Sequence, residues 1–179
     1  MTDRRRRIDI IADDDFVQAV ADLPLDQLRE RRLLCDGLDT ELSYYRRLLH
    51  GRMDLLAFEL RRRAGEETRS LIEALPEILA GSESRDTASW TGRAIPVSIP
   101  DLPDDGKRAI DRVLGDDFLA HLPDLDSEEL ERIQTLLTDV ESEISDQRRI
   151  VYDRYELLQG ELTRRYRDGL ADIDELLRS

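Results

Sequence analysis

The sequence has few of the residues that mark secreted, zinc-binding or membrane-spanning proteins. Its 179 residues include a single cysteine, Cys35, which cannot form an intramolecular disulfide and has no cysteine or histidine neighbour at metal-site spacing. No apolar run approaches the roughly 18 residues that a bilayer span requires. The N-terminal residues MTDRRRRIDII also lack the apolar stretch of a signal peptide. These absences predict a cytoplasmic protein with no metal site and no membrane association.

Aromatic residues are also scarce, whereas charged residues are abundant. Aromatics make up 5% of the chain and charged residues 38%, a balance typical of long solvated helices rather than of a β-sandwich or barrel. The formal net charge of −14 repels nucleic acid and anionic membranes at long range. We therefore expect a basic partner protein and no direct DNA binding, and interpret the arginines at 4–7 as a solvated tail.

Two long segments carry the apolar periodicity of a coiled-coil seam. The first, about residues 24–63, has seam positions Leu28, Cys35, Leu38, Leu42, Tyr45, Leu49, Met53, Leu56 and Leu60. The second, about residues 127–168, has seam positions Leu130, Ile133, Leu137, Val140, Ile144, Val151, Tyr155, Leu158 and Leu162. It begins at a capping signature over residues 127–130. Apolar spacings of three and four sustained over several heptads predict a coiled coil.

The connecting segment, about residues 64–126, is more broken. EETRSLIEALPEIL and DDGKRAIDRVLGDDFLAHL predict short helices, and residues 82–103 between them form a linker rich in proline, glycine and serine. A further short helix is predicted at about 170–178. The chain is thus expected to be one all-α domain over residues 1–179, an antiparallel two-helix coiled coil with short accessory helices.

A polar stripe follows the seam of each long segment. In each segment the five stripe residues lie 0, 4, 7, 11 and 15 positions after the first of them. On a helix this spacing places the five side chains within a band roughly 80° wide. The residues are Asp39, Ser43, Arg46, His50 and Asp54 in the first copy and Glu141, Ser145, Arg148, Tyr152 and Glu156 in the second. Each stripe residue lies one position after a seam position, which before Arg148 is occupied by Gln147, a polar interruption of the second seam. Antiparallel packing would bring the two copies face to face around a local two-fold axis.

The residue types of the stripe allow two interpretations. Arginine donors match the O6 and N7 acceptors of guanine, and carboxylates accept from its ring N–H and exocyclic amine, so the stripe has the chemistry of guanine recognition. Charged residues beside a coiled-coil seam also form interhelical salt bridges, so a structural ladder of ion pairs is the alternative. No phosphate-binding glycine loop, HExxH motif or nucleophile–base cluster is present in the sequence, and we expect no enzymatic activity.

The repeated stripe resembles the signature of the RsiG family of actinobacterial anti-sigma factors, E-x3-S-x2-R-x3-Q-x3-D on each of two antiparallel helices. The stretches LSYYRRLLHGRMDLL, EALPEIL and LTRRYRDGLADIDELL also look like that family. The resemblance implies a protein that binds cyclic di-GMP between its helices as a regulatory ligand. In that state it would hold a flagellar-class sigma factor of the sporulation type, WhiG, away from RNA polymerase.

Carried over to this sequence, the resemblance assigns guanine contacts to the arginines of both stripes and ligand-backbone contacts to the serines. Four positions depart from the family pattern. Asp39 replaces glutamate, Glu156 replaces aspartate, and His50 and Tyr152 replace glutamine. Neither His50 nor Tyr152 reproduces the paired donor and acceptor of an amide, although both can stack on a base.

The alternative to a regulated anti-sigma factor is a ligand-independent coiled-coil adaptor or a homodimeric structural protein. In that case the stripe would be a salt-bridge ladder, and exposed seam surface would recruit a second copy of the chain. The sequence leaves the choice between monomer and dimer open, together with the nucleotide stoichiometry and the role of Trp90.

Overall fold

The structure is a computed structural model that describes residues 6–86, 122 and 124–169. The short helix predicted over residues 104–122 lies almost entirely outside the described residues, as do most of the linker and the short C-terminal helix predicted at about 170–178. Within the described ranges the regular structure is helical and contains no strand. The predicted all-α fold, with two long helices packed together and short helices between them, is confirmed.

Four α-helices account for most of the described chain. They are α1, Arg7–Ala12; α2, Leu25–Arg63; α3, Leu71–Asp86; and α4, Ser127–Arg167. Two short 3-10 turns, Asp14–Phe16 and Val20–Asp22, connect α1 to α2. α3 continues to Asp86 and so extends into the predicted linker, because Gly81 and the serines around it lower helix propensity without preventing a helix. Over the described ranges no helix has the length and apolar composition of a membrane span.

The ends of the two long helices are fixed by local hydrogen bonds. α4 begins with a capping box formed by Asp126 and Glu129, in which each side chain accepts from the other's backbone N–H at 2.8 and 3.0 Å. The cap therefore lies one residue before the predicted Ser127. α2 ends in a Schellman motif: Gly65 adopts φ 76°, and the N–H of Glu66 donates to the carbonyl of Arg61 at 3.0 Å. Glycine is suited to this position because a Cβ disfavours positive φ.

The chain divides into two compact units. The first unit contains residues 1–42 and 146–179, and the second contains residues 43–145. In the first unit α2 and α4 run antiparallel, since Arg29 contacts Tyr166 while Arg32, further along α2, contacts Gln159 further back along α4. In the second unit α2 and α4 also contact each other, through Arg46 and Glu141.

The predicted seam forms the buried core of both units. The buried seam residues are Leu28, Cys35, Leu38, Leu42, Tyr45, Leu49 and Leu56 on α2, with Leu130, Leu137, Val140, Ile144, Val151, Leu158 and Leu162 on α4. The remaining predicted seam positions, Met53, Leu60, Ile133 and Tyr155, are half-buried. Burial of one apolar stripe on each helix supplies the main driving force for their association.

The first unit also buries an N-terminal segment that the sequence did not reveal. Ile11 is fully buried and Phe16 is 7% exposed. Arg7, interpreted from sequence as part of a solvated tail, forms an ion pair with the buried carboxylate of Glu41. Arg165 donates to the carbonyl of Leu23 at 2.7 Å, so this cation holds the segment in place in addition to complementing the end of α4.

Candidate ligand-binding site

The ten stripe residues all lie on the two long helices, but they divide between the two units. The second unit holds Ser43, Arg46, His50, Asp54, Glu141 and Ser145, and the first unit holds Asp39, Arg148, Tyr152 and Glu156. We refer to these two groups as the second-unit cluster and the first-unit cluster. Each cluster contains an arginine from one copy of the stripe and the leading acid of the other copy.

The second-unit cluster is centred on the carboxylate of Glu141. Its Oε1 accepts from Arg46 Nε at 3.0 Å and from Ser145 Oγ at 2.8 Å, and His50 Nε2 lies 3.3 Å from the same oxygen. Partial burial acts to raise the pKa of the Glu141 carboxyl, but hydrogen bonds from Ser145, Arg46 and His50 outweigh it and the pKa lies below its usual range. Glu141 is therefore an anion at neutral pH, and three side chains are gathered around it.

In the second-unit cluster the hydroxyl oxygen of Ser43, a residue that is 5% exposed, and Nδ1 of His50 are buried without a hydrogen-bond partner among the described residues. An unsatisfied buried polar group costs about 1–3 kcal/mol, so such atoms are expected where another molecule supplies the missing partner. Asp54 lies one turn beyond His50 on α2 and is half-buried.

The first-unit cluster contains a simpler ion pair. Arg148 Nε donates to Asp39 Oδ1 at 3.2 Å, and the two side chains are 12% and 28% exposed. Tyr152, one turn further along α4, is half-buried, whereas Glu156 is exposed. The structure thus brings Asp39 and Arg148 together and leaves the last acid of this stripe in solvent.

The sequence did not anticipate which acid each arginine contacts. Arg46 reaches across to Glu141, the leading acid of the second copy, and Arg148 reaches across to Asp39, the leading acid of the first. A register that places Arg46 opposite Glu141 also places Arg148 opposite Asp39, because both pairs follow from one antiparallel alignment of the two stripes. Both pairs put a guanidinium beside a carboxylate, which is an arrangement that can hold a salt bridge or recognise both edges of a guanine.

Other buried ionisable groups have structural roles. Glu59, 2% exposed, accepts from Arg62 and Arg63 at 2.8 Å, so these arginines neutralise a buried carboxylate as well as ending α2. Burial raises the pKa of the Cys35 thiol to about 12, which keeps it protonated and unreactive. In the described ranges no group of three or more His, Cys, Asp or Glu side chains is placed to hold a metal ion.

Comparison with known protein families gives a match over residues 14–79 to the family described as RsiG-like. A search of curated proteins gave no match. The matched residues include α2 and therefore the whole first copy of the stripe. Similarity to this family suggests an anti-sigma factor role, with a sigma factor as the partner. Over residues 14–79 the chain is therefore similar to the RsiG family.

Proposed function

We propose that this protein is a cytoplasmic anti-sigma factor that binds cyclic di-GMP and, in the bound state, sequesters a flagellar-class sigma factor of the WhiG type. Transcription of the sigma factor's regulon would thereby be repressed. The observation that carries the proposal is the arginine–carboxylate pair that recurs once in each unit, Arg46 with Glu141 and Arg148 with Asp39. A guanidinium beside a carboxylate has the donors and the acceptor that recognise a guanine, the base of cyclic di-GMP.

Each cluster offers the groups that recognise one guanine. The arginine donates to O6 and N7, and the carboxylate accepts from the ring N–H or the exocyclic amine. In the second unit the buried hydroxyl of Ser43 supplies a further group without a partner among the described residues. A serine hydroxyl both donates and accepts, so it can bond to a phosphate or ribose oxygen of the ligand.

Charge supports a sigma factor as partner. The net charge of −14 complements the basic DNA-binding surfaces of a sigma factor, and complementary potentials increase association rates and favour the correct partner. Bound nucleotide would strengthen sequestration only if it binds more tightly to the form of the protein that holds the sigma factor than to the other forms. The gain is then limited to the difference between these two affinities. Cyclic di-GMP is therefore a regulatory ligand in this proposal and not a cofactor.

Calorimetric titration of cyclic di-GMP, with and without the sigma factor, tests the proposal. Reversing both paired arginines, R46E with R148E, should abolish saturable binding because each cluster loses its guanine donors and gains a repulsive charge. R61E with R149E is a matched control, since it makes the same change of charge at two exposed arginines outside the stripe. Equal nucleotide binding by the wild type and the R46E/R148E variant would remove the site assignment.

A ligand-independent coiled-coil adaptor or homodimeric structural protein is the second candidate. The observation that favours it is that Arg46 and Arg148 each make an ion pair with a carboxylate of the protein itself. Under this alternative the protein would associate with its partner, or with a second copy, equally well with and without cyclic di-GMP. Sedimentation of the purified protein with each partner, at saturating and zero nucleotide, distinguishes the two candidates.

A further inference from the structure

In the first unit an arginine interrupts the apolar seam of each long helix. On α2 the step of seven from Leu28 to Cys35 passes over Arg31, at the position where the alternation of three and four places an apolar residue. On α4 the same alternation continues from Leu162 to Arg165. A guanidinium at the seam of two packed helices needs acceptors, because burying an unpaired charge is costly. Both arginines find carbonyl acceptors in the N-terminal segment, residues 7–23.

The N-terminal segment supplies these acceptors from its backbone. Arg31 donates to the carbonyl of Phe16, and its guanidinium carbon lies 5.5 Å from the centroid of the Phe16 ring. Arg165 donates to three carbonyls of residues 20–23, with the shortest hydrogen bond, 2.7 Å, to Leu23. The segment thus satisfies the two arginines that interrupt the seam of the first unit.

The same segment is also attached to both helices by ion pairs. Near its start Arg7 pairs with the carboxylate of Glu41 on α2, a residue that is 3% exposed. Further along, Asp14 Oδ1 accepts from Arg154 on α4 at 2.8 Å. Taken with the contacts of the two seam arginines, these attachments alternate along the segment between α2 and α4. Because the attachments alternate, all of them can be made together only in one register of the helix pair.

The register of α2 against α4 decides whether the first-unit cluster exists. An apolar seam of heptads is compatible with a shift of one heptad, which moves one helix about 10 Å along the other. Such a shift would separate Arg148 Nε from Asp39 Oδ1, which lie 3.2 Å apart in the structure. It would also break the contacts of the N-terminal segment with one of the two helices, so the segment opposes the shift.

We propose that the N-terminal segment is a strap that fixes the register of α2 and α4 in the first unit and thereby positions Arg148 beside Asp39 for a ligand. The part of this inference that concerns cyclic di-GMP rests on the proposed function, whereas the effect on the helix pair is independent of it. Release of the strap lowers the fraction of protein with an assembled cluster, and the apparent affinity falls by the same factor. Phe16 is a positioning residue in this scheme, since it lies outside the stripe.

Hydrogen exchange of the full chain without nucleotide tests the strap. Phe16→Ala removes the ring that Arg31 contacts and should raise amide exchange roughly tenfold or more in the first-unit parts of α2 and α4, residues 25–42 and 146–167. Exchange in the second-unit parts of the same helices should change little. A rise confined to residues 7–23, or an equal rise in both units, would overturn the proposal.

Two further substitutions in the segment make the exchange measurement specific. Ile10→Ala is the matched control, because it shortens an apolar side chain of the same segment at a position that is 37% exposed, and it should behave as the wild type. Phe16→Leu keeps an apolar side chain without the ring. It should give the pattern of Phe16→Ala more weakly, and an exchange profile identical to the wild type would exclude the contact between Arg31 and the Phe16 ring from the strap.

Titration of cyclic di-GMP into the same variants tests positioning. Phe16→Ala should bind several-fold more weakly than the wild type and Ile10→Ala equally well. Saturating nucleotide should restore exchange protection to α2 and α4 of Phe16→Ala but not to residues 7–23, because the ligand then holds the register from the stripe. Unchanged affinity in Phe16→Ala with loosened helices would overturn the positioning role, whereas no binding by the wild type would remove the proposed function and leave the strap to be decided by exchange.

Discussion

The two polar clusters come from the same repeated stripe, yet they differ in how their carboxylates are held. In the second unit Glu141 is contacted by Arg46, His50 and Ser145, whereas in the first unit Asp39 is paired with Arg148. Glutamate is one methylene longer than aspartate, which extends the reach of its carboxylate. Equal spacing along a helix therefore gives equivalent positions but not equivalent chemistry.

The clusters also differ in the polar atoms that they leave for another molecule. In the second-unit cluster Ser43 Oγ and His50 Nδ1 are buried with no hydrogen-bond partner among the described residues. In the first-unit cluster the matching position to His50 is Tyr152, whose phenol is half-buried. The comparison indicates that the second-unit cluster is the more pre-arranged of the two, because fixed polar groups lose less entropy on binding.

The largest expected effect is on the free energy of unfolding, when a leucine of the seam that supports both clusters is replaced by alanine. Leu158→Ala in the first unit and Leu137→Ala in the second each remove a fully buried side chain, and each should lower the free energy of unfolding by about 2–5 kcal/mol. Denaturant titration measures the change. The neighbouring Leu157→Ala and Leu136→Ala are matched controls at exposed positions and should change stability by roughly 0.5 kcal/mol or less.

Removing the charge of each leading acid would measure the difference between the clusters directly. Glu141→Gln weakens hydrogen bonds from three donors and should cost about 1–3 kcal/mol of stability in the ligand-free protein. Asp39→Asn weakens the contact with Arg148 and should cost about 1 kcal/mol or less. Equal losses in thermal or denaturant unfolding would contradict the asymmetry.

The two serines of the second-unit cluster should respond in opposite ways. Ser145→Ala removes a 2.8 Å hydrogen bond to Glu141 and should reduce stability by about 1 kcal/mol. Ser43→Ala removes a buried hydroxyl that has no partner among the described residues, so stability should be unchanged or slightly higher. Cyclic di-GMP affinity should nevertheless fall several-fold in Ser43→Ala, and an unchanged dissociation constant would exclude Ser43 from ligand contact.

The smallest expected effect is the dependence of the free energy of unfolding on pH, which becomes visible only in acid. A hydrogen bond from Arg164 lowers the pKa of Glu161, in the first unit, to about 2, and the pKa of Glu141 in the second unit is also lowered. A carboxyl with a lower pKa in the folded state contributes stability above its unfolded pKa of 4.5, and this contribution is lost as pH falls toward 2. Unfolding measured from pH 6 to pH 2 should show declining stability, with a shallower decline in Glu161→Gln.

The periodic seam made the long helices predictable, and the same periodicity identified their buried faces. Predicted helices of about 24–63 and 127–168 compare with Leu25–Arg63 and Ser127–Arg167 in the structure. Leu49 and Val151 were assigned to the core from spacing alone and are fully buried. Helical periodicity is a local signal that depends on near neighbours, so it can be obtained from one sequence.

The N-terminal segment shows where local signals fail. Ile11 and Phe16 lie in short stretches without a long apolar period, and the structure buries them against the first unit through contacts far apart in sequence. Arg154 donates to Asp14 at 2.8 Å across more than a hundred residues of chain. No rule of residue spacing predicts such a contact, because it depends on which surface the packed helices α2 and α4 leave accessible to the N-terminal segment.

The sequence by itself determined that this protein is built from two long amphipathic helices and that each carries the same polar stripe. Only the tertiary structure decided that Arg46 pairs with Glu141, that Arg148 pairs with Asp39, and that Glu141 alone of these two acids is also approached by a histidine and a serine. Backbone periodicity fixes which side chains share a face. The partner of each charge depends on helix register and side-chain length, which are set when the apolar seams of the two helices pack together.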